Sequence, residues 1–168
     1  MNWYKEKYAG RKIYNIENNI YKLWERRAFF MQKKKILIPI DGTDRSLVSL
    51  NYLKDNFNKD NVEVTLIHVR EIVFINGMAV SEEIKDAEVI GKRILKEAKE
   101  QIKEYECKTE LRFGYAGDEI LAYAEDEEVD TIIMAKNTKK KFTLLVGSVT
   151  AHVAKRAKCA LIIIPEVY

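Results

Sequence analysis

Five short apolar runs, separated by four longer amphipathic segments, constrain this chain more than any other feature. Lys35–Ile40 (KILIPI), Thr131–Ala135 (TIIMA) and Ala160–Ile164 (ALIII) are continuous apolar runs. Val62–Val69 (VEVTLIHV) alternates at first, and Lys108–Phe113 (KTELRF) alternates throughout, as suits a less buried strand. Strands apolar on both faces belong to sheets covered on both sides, which is the pattern of parallel sheets. The intervening segments have helical spacing. Leu47, Leu50, Leu53 and Phe57 mark a helix over Arg45–Phe57. Ile84, Ala87, Ile90, Ile94, Ala98 and Ile102 form one stripe over Ser81–Tyr105, where Ser81 is a start signal. Ile120, Leu121 and Ala124 mark Asp118–Glu127; Val149, His152, Val153 and Arg156 mark Ser148–Arg156. Strict β-α alternation predicts an α/β fold: a doubly wound, Rossmann-like, five-stranded parallel sheet with right-handed crossovers. Such sheets bind ligands at the carboxyl ends of strands where the strand order reverses. That rule points to Pro39–Arg45 and Met134–Thr150.

The chain has 168 residues, enough for one domain with its own core and an appendage. Residues 1–33 carry eight Lys/Arg against three Asp/Glu, a net +5, whereas the rest holds 21 bases and 23 acids, a net −2. The basic excess therefore belongs to the leader, and the charge balance does not imply a nucleic-acid protein. The leader is also aromatic (Trp3, Tyr4, Tyr8, Tyr14, Tyr21, Trp24, Phe29, Phe30), and Ile13, Ile16, Ile20, Leu23 and Trp24 predict an amphipathic helix within Asn15–Phe30. It divides the chain into a helical extension, 1–33, and a domain, 34–168. Three readings of the extension stay open: docking on its own domain or a dimer partner, contact with an acidic membrane surface or nucleic acid, or poor order. Glu71–Val80 is an apolar loop whose Phe74, Ile75 and Met78 are expected in the core rather than over a pocket. No run reaches the roughly 18 apolar residues of a membrane span. The N-terminus lacks a signal-peptide apolar region, so cytoplasmic residence is expected. Cys107 and Cys159 form no CxxC pair and read as two reduced thiols.

Enzyme signatures are missing. No G-x-x-x-x-G-K-[ST] occurs, and the Gly91-Lys92 pair lies inside a helical segment. No G-x-G-x-x-G follows a strand. The two histidines are distant in sequence: His68 reads as a buried or rim residue, His152 as a surface or interface one. No His/Cys/Asp cluster has metal-ligand spacing, no nucleophile–base pair stands out, and the acids Glu125 to Glu128 read as solvated.

Three segments carry a resemblance. KKILIPIDGTDRSLVSLNYL (34–53) resembles the opening strand of the universal stress protein family, which ends in proline, a variable residue and aspartate before the first helix. GDEILAYAEDEEVDTIIMA (117–135) is similar to that family's third helix and fourth strand, and GSVTAHVAKRAKCALIIIP (147–165) to its glycine-serine turn, last helix and final strand. The resemblance spans about residues 34–165 and implies an adenine nucleotide alpha-hydrolase-like fold. The loop Asp41-Gly42-Thr43-Asp44-Arg45-Ser46 also distantly resembles the pyrophosphatase loop of related α/β enzymes, but it lacks their initial serine and two glycines.

Nucleotide-binding members of the family carry glycine, two residues, glycine, nine residues, then glycine and serine or threonine. Gly147-Ser148 keep the end of that pattern. Read forward from the fourth strand, the early glycine positions fall on Ala135 and Thr138; counted back from Gly147, they fall on Met134 and Asn137. Both glycines are missing either way. Glycine permits positive φ and close approach of backbone to phosphate. Ala135 adds a methyl group, Thr138 disfavours positive φ, and Asn137 tolerates it better. The amides of Ser148 and Val149 and the hydroxyls of Ser148 and Thr150 suit an anion at a helix start. Lys136, Lys139, Lys140 and Lys141 place positive charge opposite.

The resemblance further implies a nucleotide site for ATP or AMP built from Pro39, Asp41, Val69, Met134, Ala135, Lys136, Asn137, Gly147, Ser148, Val149 and Thr150. Asp41 matches an aspartate near the ribose and a magnesium ion, which is expected only with nucleotide; Val69 matches a residue beside the adenine. Asp41 also reads as an N-cap or turn residue, a role for which Asp44 competes. Similar proteins pair through their last strands, so a homodimer through Leu161–Ile164 is expected. The implied function is a non-catalytic regulatory module with a degenerate nucleotide site. The alternatives are an interaction module that has lost nucleotide binding, or a weak ATPase or autokinase.

Overall fold

The computed structural model describes residues 32–71, 81–136 and 147–165, with the backbone alone for 81–85. The leader helix, Phe74, Ile75 and Met78 of the apolar loop, Asn137, Thr138 and Lys139–Lys141 lie outside the described residues. The order is β1 (Lys34–Pro39), α1 (Asp44–Asn56), a 3-10 turn (Lys59–Asn61), β2 (Val62–Arg70), α2 (Ser81–Glu100), β3 (Cys107–Phe113), α3 (Ala116–Asp126), β4 (Thr131–Ala135), α4 (Ser148–Arg156) and β5 (Ala160–Ile164). All four strand pairings are parallel. The strands lie in the order β3-β2-β1-β4-β5, so the order reverses between β1 and β4.

Alternation within the strands feeds two separate cores. Ile36, Ile38, Val64, Leu66 and Ile133 point to one face, where Leu50 and Leu53 of α1 and Leu95, Ala98 and Ile102 from α2 and the turn after it close over them. Leu37, Ile67, Ile132 and Met134 point to the other, against Ile120, Tyr123 and Ala124 of α3 and Val153 of α4. β1 is buried on both faces because it is central, which explains its unbroken apolar run. Each fully buried Leu or Ile contributes about 1.5–3 kcal/mol of transfer free energy. β3 pairs only with β2 and is half-exposed, in keeping with its polar alternation.

The second helix departs from its sequence reading. The apolar stripe continues to Ile102, but the α-helix ends at Glu100. Gln101 N–H then bonds Ala98 O at 3.1 Å, Ile102 N–H bonds Lys99 O at 3.0 Å and Tyr105 N–H bonds Ile102 O at 2.9 Å. These tighter i→i−3 turns drop Ile102 and Tyr105 into the core, where the Tyr105 hydroxyl donates to Phe57 O at 2.9 Å.

Candidate functional site

β1 delivers its carboxyl end to the point of strand reversal. Ile40 N–H still bonds Ile67 O at 2.8 Å, and then the chain turns away. Gly42 makes the turn with φ +82°, and its backbone lies against Ile94 of α2. Asp41 holds the turn shut: its Oδ1 accepts the Thr43 N–H at 2.9 Å and the Thr43 hydroxyl at 2.7 Å. Neither aspartate caps α1. Thr43 holds the N-cap position with no side-chain cap bond, because its hydroxyl is turned toward Asp41; Asp44 is the first helical residue, where a carboxylate suits the helix dipole. The Ser46 hydroxyl donates to Thr43 O at 2.7 Å.

From the far side of the reversal, β4 runs out at Ala135, and Lys136 N–H bonds Ile164 O at 2.8 Å, which keeps the departing chain beside β5. α4 begins after Gly147, whose φ of −57° is open to any residue; Ala151 N–H donates to Gly147 O at 2.8 Å. Gly147 at the N-cap has no side chain to cap this helix, and its first-turn amides carry the partial positive charge of a helix start.

A cavity of about 120 Å³ lies between these strand ends, lined by Pro39, Ile40, Asp41, Arg45, Ser46, Ile67, Val69, Ala116, Ile120, Met134, Ala135, Val149 and Thr150. Its floor is apolar (Ile67, Ile120, Met134), with Val69 and Val149 on the walls. Its polar groups are Asp41 and Arg45 at the mouth, Ser46, and the buried Thr150. An apolar slot with a few convergent polar groups is the ordinary form of a small-molecule site.

Of the eleven residues expected at the site, Pro39, Asp41, Val69, Met134, Ala135, Val149 and Thr150 line this one cavity. Lys136 follows Ala135 directly, Gly147 and Ser148 open α4 just before Val149, and Asn137 lies outside the described residues. Ile40 and Arg45 belong to the segment Pro39–Arg45 that the strand-end rule picked out; sequence reasoning missed Ser46, Ile67, Ala116 and Ile120. Ser46 follows Asp41 by five residues, so the turn itself was its signal. Ala116 and Ile120 come from α3, which reaches the cleft only through the packing of that helix on the second core.

Both histidines stand outside the cavity lining. His68 is buried, and its Nδ1 donates to Ile40 O at 2.6 Å, fixing the exit of β1; its Nε2 is buried with no partner. His152 joins α3 to α4. Its Nε2 bonds Asp118 Oδ1 at 2.7 Å, its Nδ1 lies 3.0 Å from Arg156 Nη1, and Tyr115 meets its ring edge-on at 5.2 Å. Arginine can only donate, so Nδ1 accepts from Arg156 and Nε2 donates to Asp118. Among the described residues no group of three His, Cys, Asp or Glu side chains is placed to hold a metal. Burial raises the pKa of both free thiols, that of Cys107 to about 11.

The sequence profile of the Universal stress protein family matches residues 33–165. This chain belongs to that family. The universal stress protein MJ0531 of Methanocaldococcus jannaschii is 30% identical over 143 residues, covering 79% of this chain and 82% of that one. The solved structure of protein MJ0577, a universal stress protein of the same organism, superposes with a TM-score of 0.63 at 26% identity over 82% of this chain and 99% of that one. A universal stress protein from Archaeoglobus fulgidus, solved in complex with dAMP, has a TM-score of 0.58 at 19% identity over 79% of this chain and 98% of that one, a likeness of fold. The five-stranded parallel sheet flanked by helices is thus the universal stress protein fold. Among the described residues no helix is long and apolar enough to cross a membrane.

Proposed function

We propose that this universal stress protein is a non-catalytic regulatory module that binds an adenine nucleotide, AMP or ATP, in the cleft between the ends of β1 and β4. The observation that carries the reading is the convergence of Asp41, Val69, Met134, Ala135, Val149 and Thr150 on one slot that opens beside the start of α4. The apolar floor suits a base, and the helix-start amides suit a phosphate. The dAMP complex of the Archaeoglobus fulgidus relative supports a nucleotide as the ligand class. Magnesium, where it accompanies ATP, would be held by the exposed Asp41 carboxylate together with the phosphates, since magnesium takes few protein ligands.

Two finer parts belong to the same reading. Residues 34–168 form the nucleotide module, and residues 1–33 are an appended basic segment. The module forms a homodimer through β5, the edge strand next to β4.

Calorimetry with AMP, and with ATP and magnesium, tests the function. A Kd in the micromolar range that rises at least about tenfold for Asp41→Ala is expected. A Kd above about 1 mM, or about −4 kcal/mol, favours the second reading, an interaction module whose missing glycines, Ala135 and Thr138 or Met134 and Asn137, have cost it the ligand.

A further inference from the structure

Among the described residues the sheet has a second unpaired edge, at β3, whose lining shares no residue with the cleft. The bonds at the two ends of the β2–β3 ladder set its parity: Val64 N–H bonds Glu106 O at 2.9 Å, and Gly114 N–H bonds Arg70 O at 3.1 Å. In a parallel ladder a residue's N–H and C=O share one side, and that side alternates. Residues 108, 110 and 112 therefore face β2, and Thr109, Leu111 and Phe113 turn their backbone N–H and C=O groups to the open edge. A groove of about 430 Å³ runs beside that edge, lined by Thr109 and Leu111 of β3 and by Lys92, Leu95, Lys96 and Lys99 of α2. Among the described residues three exposed lysines and no acid line it; Glu88, paired with Lys92 at 2.5 Å, sits one turn away. Lys92, Lys96 and Lys99 rise along α2 in steps of about 6 and 4.5 Å. Same-face side chains of an added strand would repeat about every 6.6 Å, close enough for flexible lysines to meet alternate carboxylates.

We infer that the β3 edge with its lysine-lined groove is a docking surface for an extended acidic peptide segment of a partner protein, added as a sixth strand. Backbone bonds to Thr109 and Leu111 supply the pairing, and Lys92, Lys96 and Lys99 supply the charge selection. The occupant is not a second copy, because two such edges would set lysine against lysine.

A fluorescent seven-residue peptide of alternating Glu and Val is titrated by anisotropy against the full chain. Saturable binding that weakens with added salt is expected. Lys96→Glu with Lys99→Glu, two exposed positions, should weaken it at least about tenfold. Thr109→Pro should do the same, since it removes an N–H that faces outward and leaves the β2 ladder intact. If that variant loses its native circular dichroism, the peptide N-methylated at alternate residues replaces it and should fail to bind. No binding, or binding indifferent to the α2 lysines, overturns the inference. So does equal binding of single-stranded oligothymidylate or polyphosphate that ignores Thr109→Pro, which would mark a polyanion patch without strand pairing.

Discussion

Gly42 is the residue on which the mouth of the cleft turns. Its φ of +82° suits glycine, and a Cβ built there would come within 2.8 Å of Ile94 Cδ1. Gly42→Ala should cost about 1–2 kcal/mol, most of it backbone strain, and should loosen the Asp41–Thr43 turn along with nucleotide affinity. Chemical denaturation and calorimetry on the same variant check both effects. Cys107 makes a second prediction. Burial raises its thiol from 9.0 to about 11. A group with a raised folded-state pKa stabilises the fold fully below its unfolded value and loses that contribution as pH climbs through the folded one. The native state should therefore weaken between about pH 9 and pH 11 through this thiol, and Cys107→Ala should flatten that alkaline slope in urea midpoints measured along a pH series. At neutral pH the raised pKa of both thiols predicts slow alkylation by iodoacetamide in the native state and fast alkylation in urea.

At the scale of elements, the joint between α3 and α4 depends on one ring. His152 fits because Gly117 has no side chain: a Cβ there would lie 2.7 Å from its Cδ2. Asp118, Arg156 and Tyr115 then hold the ring in place. Both helices also line the cleft, α3 through Ala116 and Ile120 and α4 through Val149 and Thr150. His152→Ala should cost about 1–2 kcal/mol of stability. Gly117→Ala should match or exceed it by displacing the ring, and both should lower nucleotide affinity without touching the ligand. Thermal denaturation and calorimetry measure the pair. Elements of this kind were unequally legible in the sequence. β4, β5 and α4 could be read to the residue because continuous apolar runs and a glycine-serine start leave little choice of boundary. The end of α2 could not, because Ile102 keeps the helical period after the backbone has tightened. The cleft floor was half legible: Pro39, Met134 and Val149 sit at strand ends and a helix start, which patterns announce. Ala116, Ile120 and the link from Asp118 to His152, 34 residues apart, arise only from how two helices pack.

At the scale of the whole molecule, the sheet has two margins unpaired among the described residues, and they are of opposite character. β3 is flanked by lysines, whereas β5 is apolar. Ala160 N–H bonds Asp130 O at 3.1 Å and Lys136 N–H bonds Ile164 O at 2.8 Å, so the same ladder parity turns the backbone of Leu161 and Ile163 outward. If β5 pairs two copies, Ile163→Pro should give a monomer with an intact fold, seen as a halved mass in light scattering at tens of micromolar; a wild type that is already monomeric there would refute the dimer. The strand order has a further consequence for synthesis. β1, the central strand, bonds β2 on one side and β4 on the other, and Lys35 N–H meets Asp130 Oδ2 at 2.8 Å, 95 residues downstream. As the chain leaves the ribosome, the first three strands can assemble while the inner flank of β1 stays bare. That flank, Ile36 to Ile38, is wholly apolar in the nascent protein, and residues 131–135 cover it when they arrive.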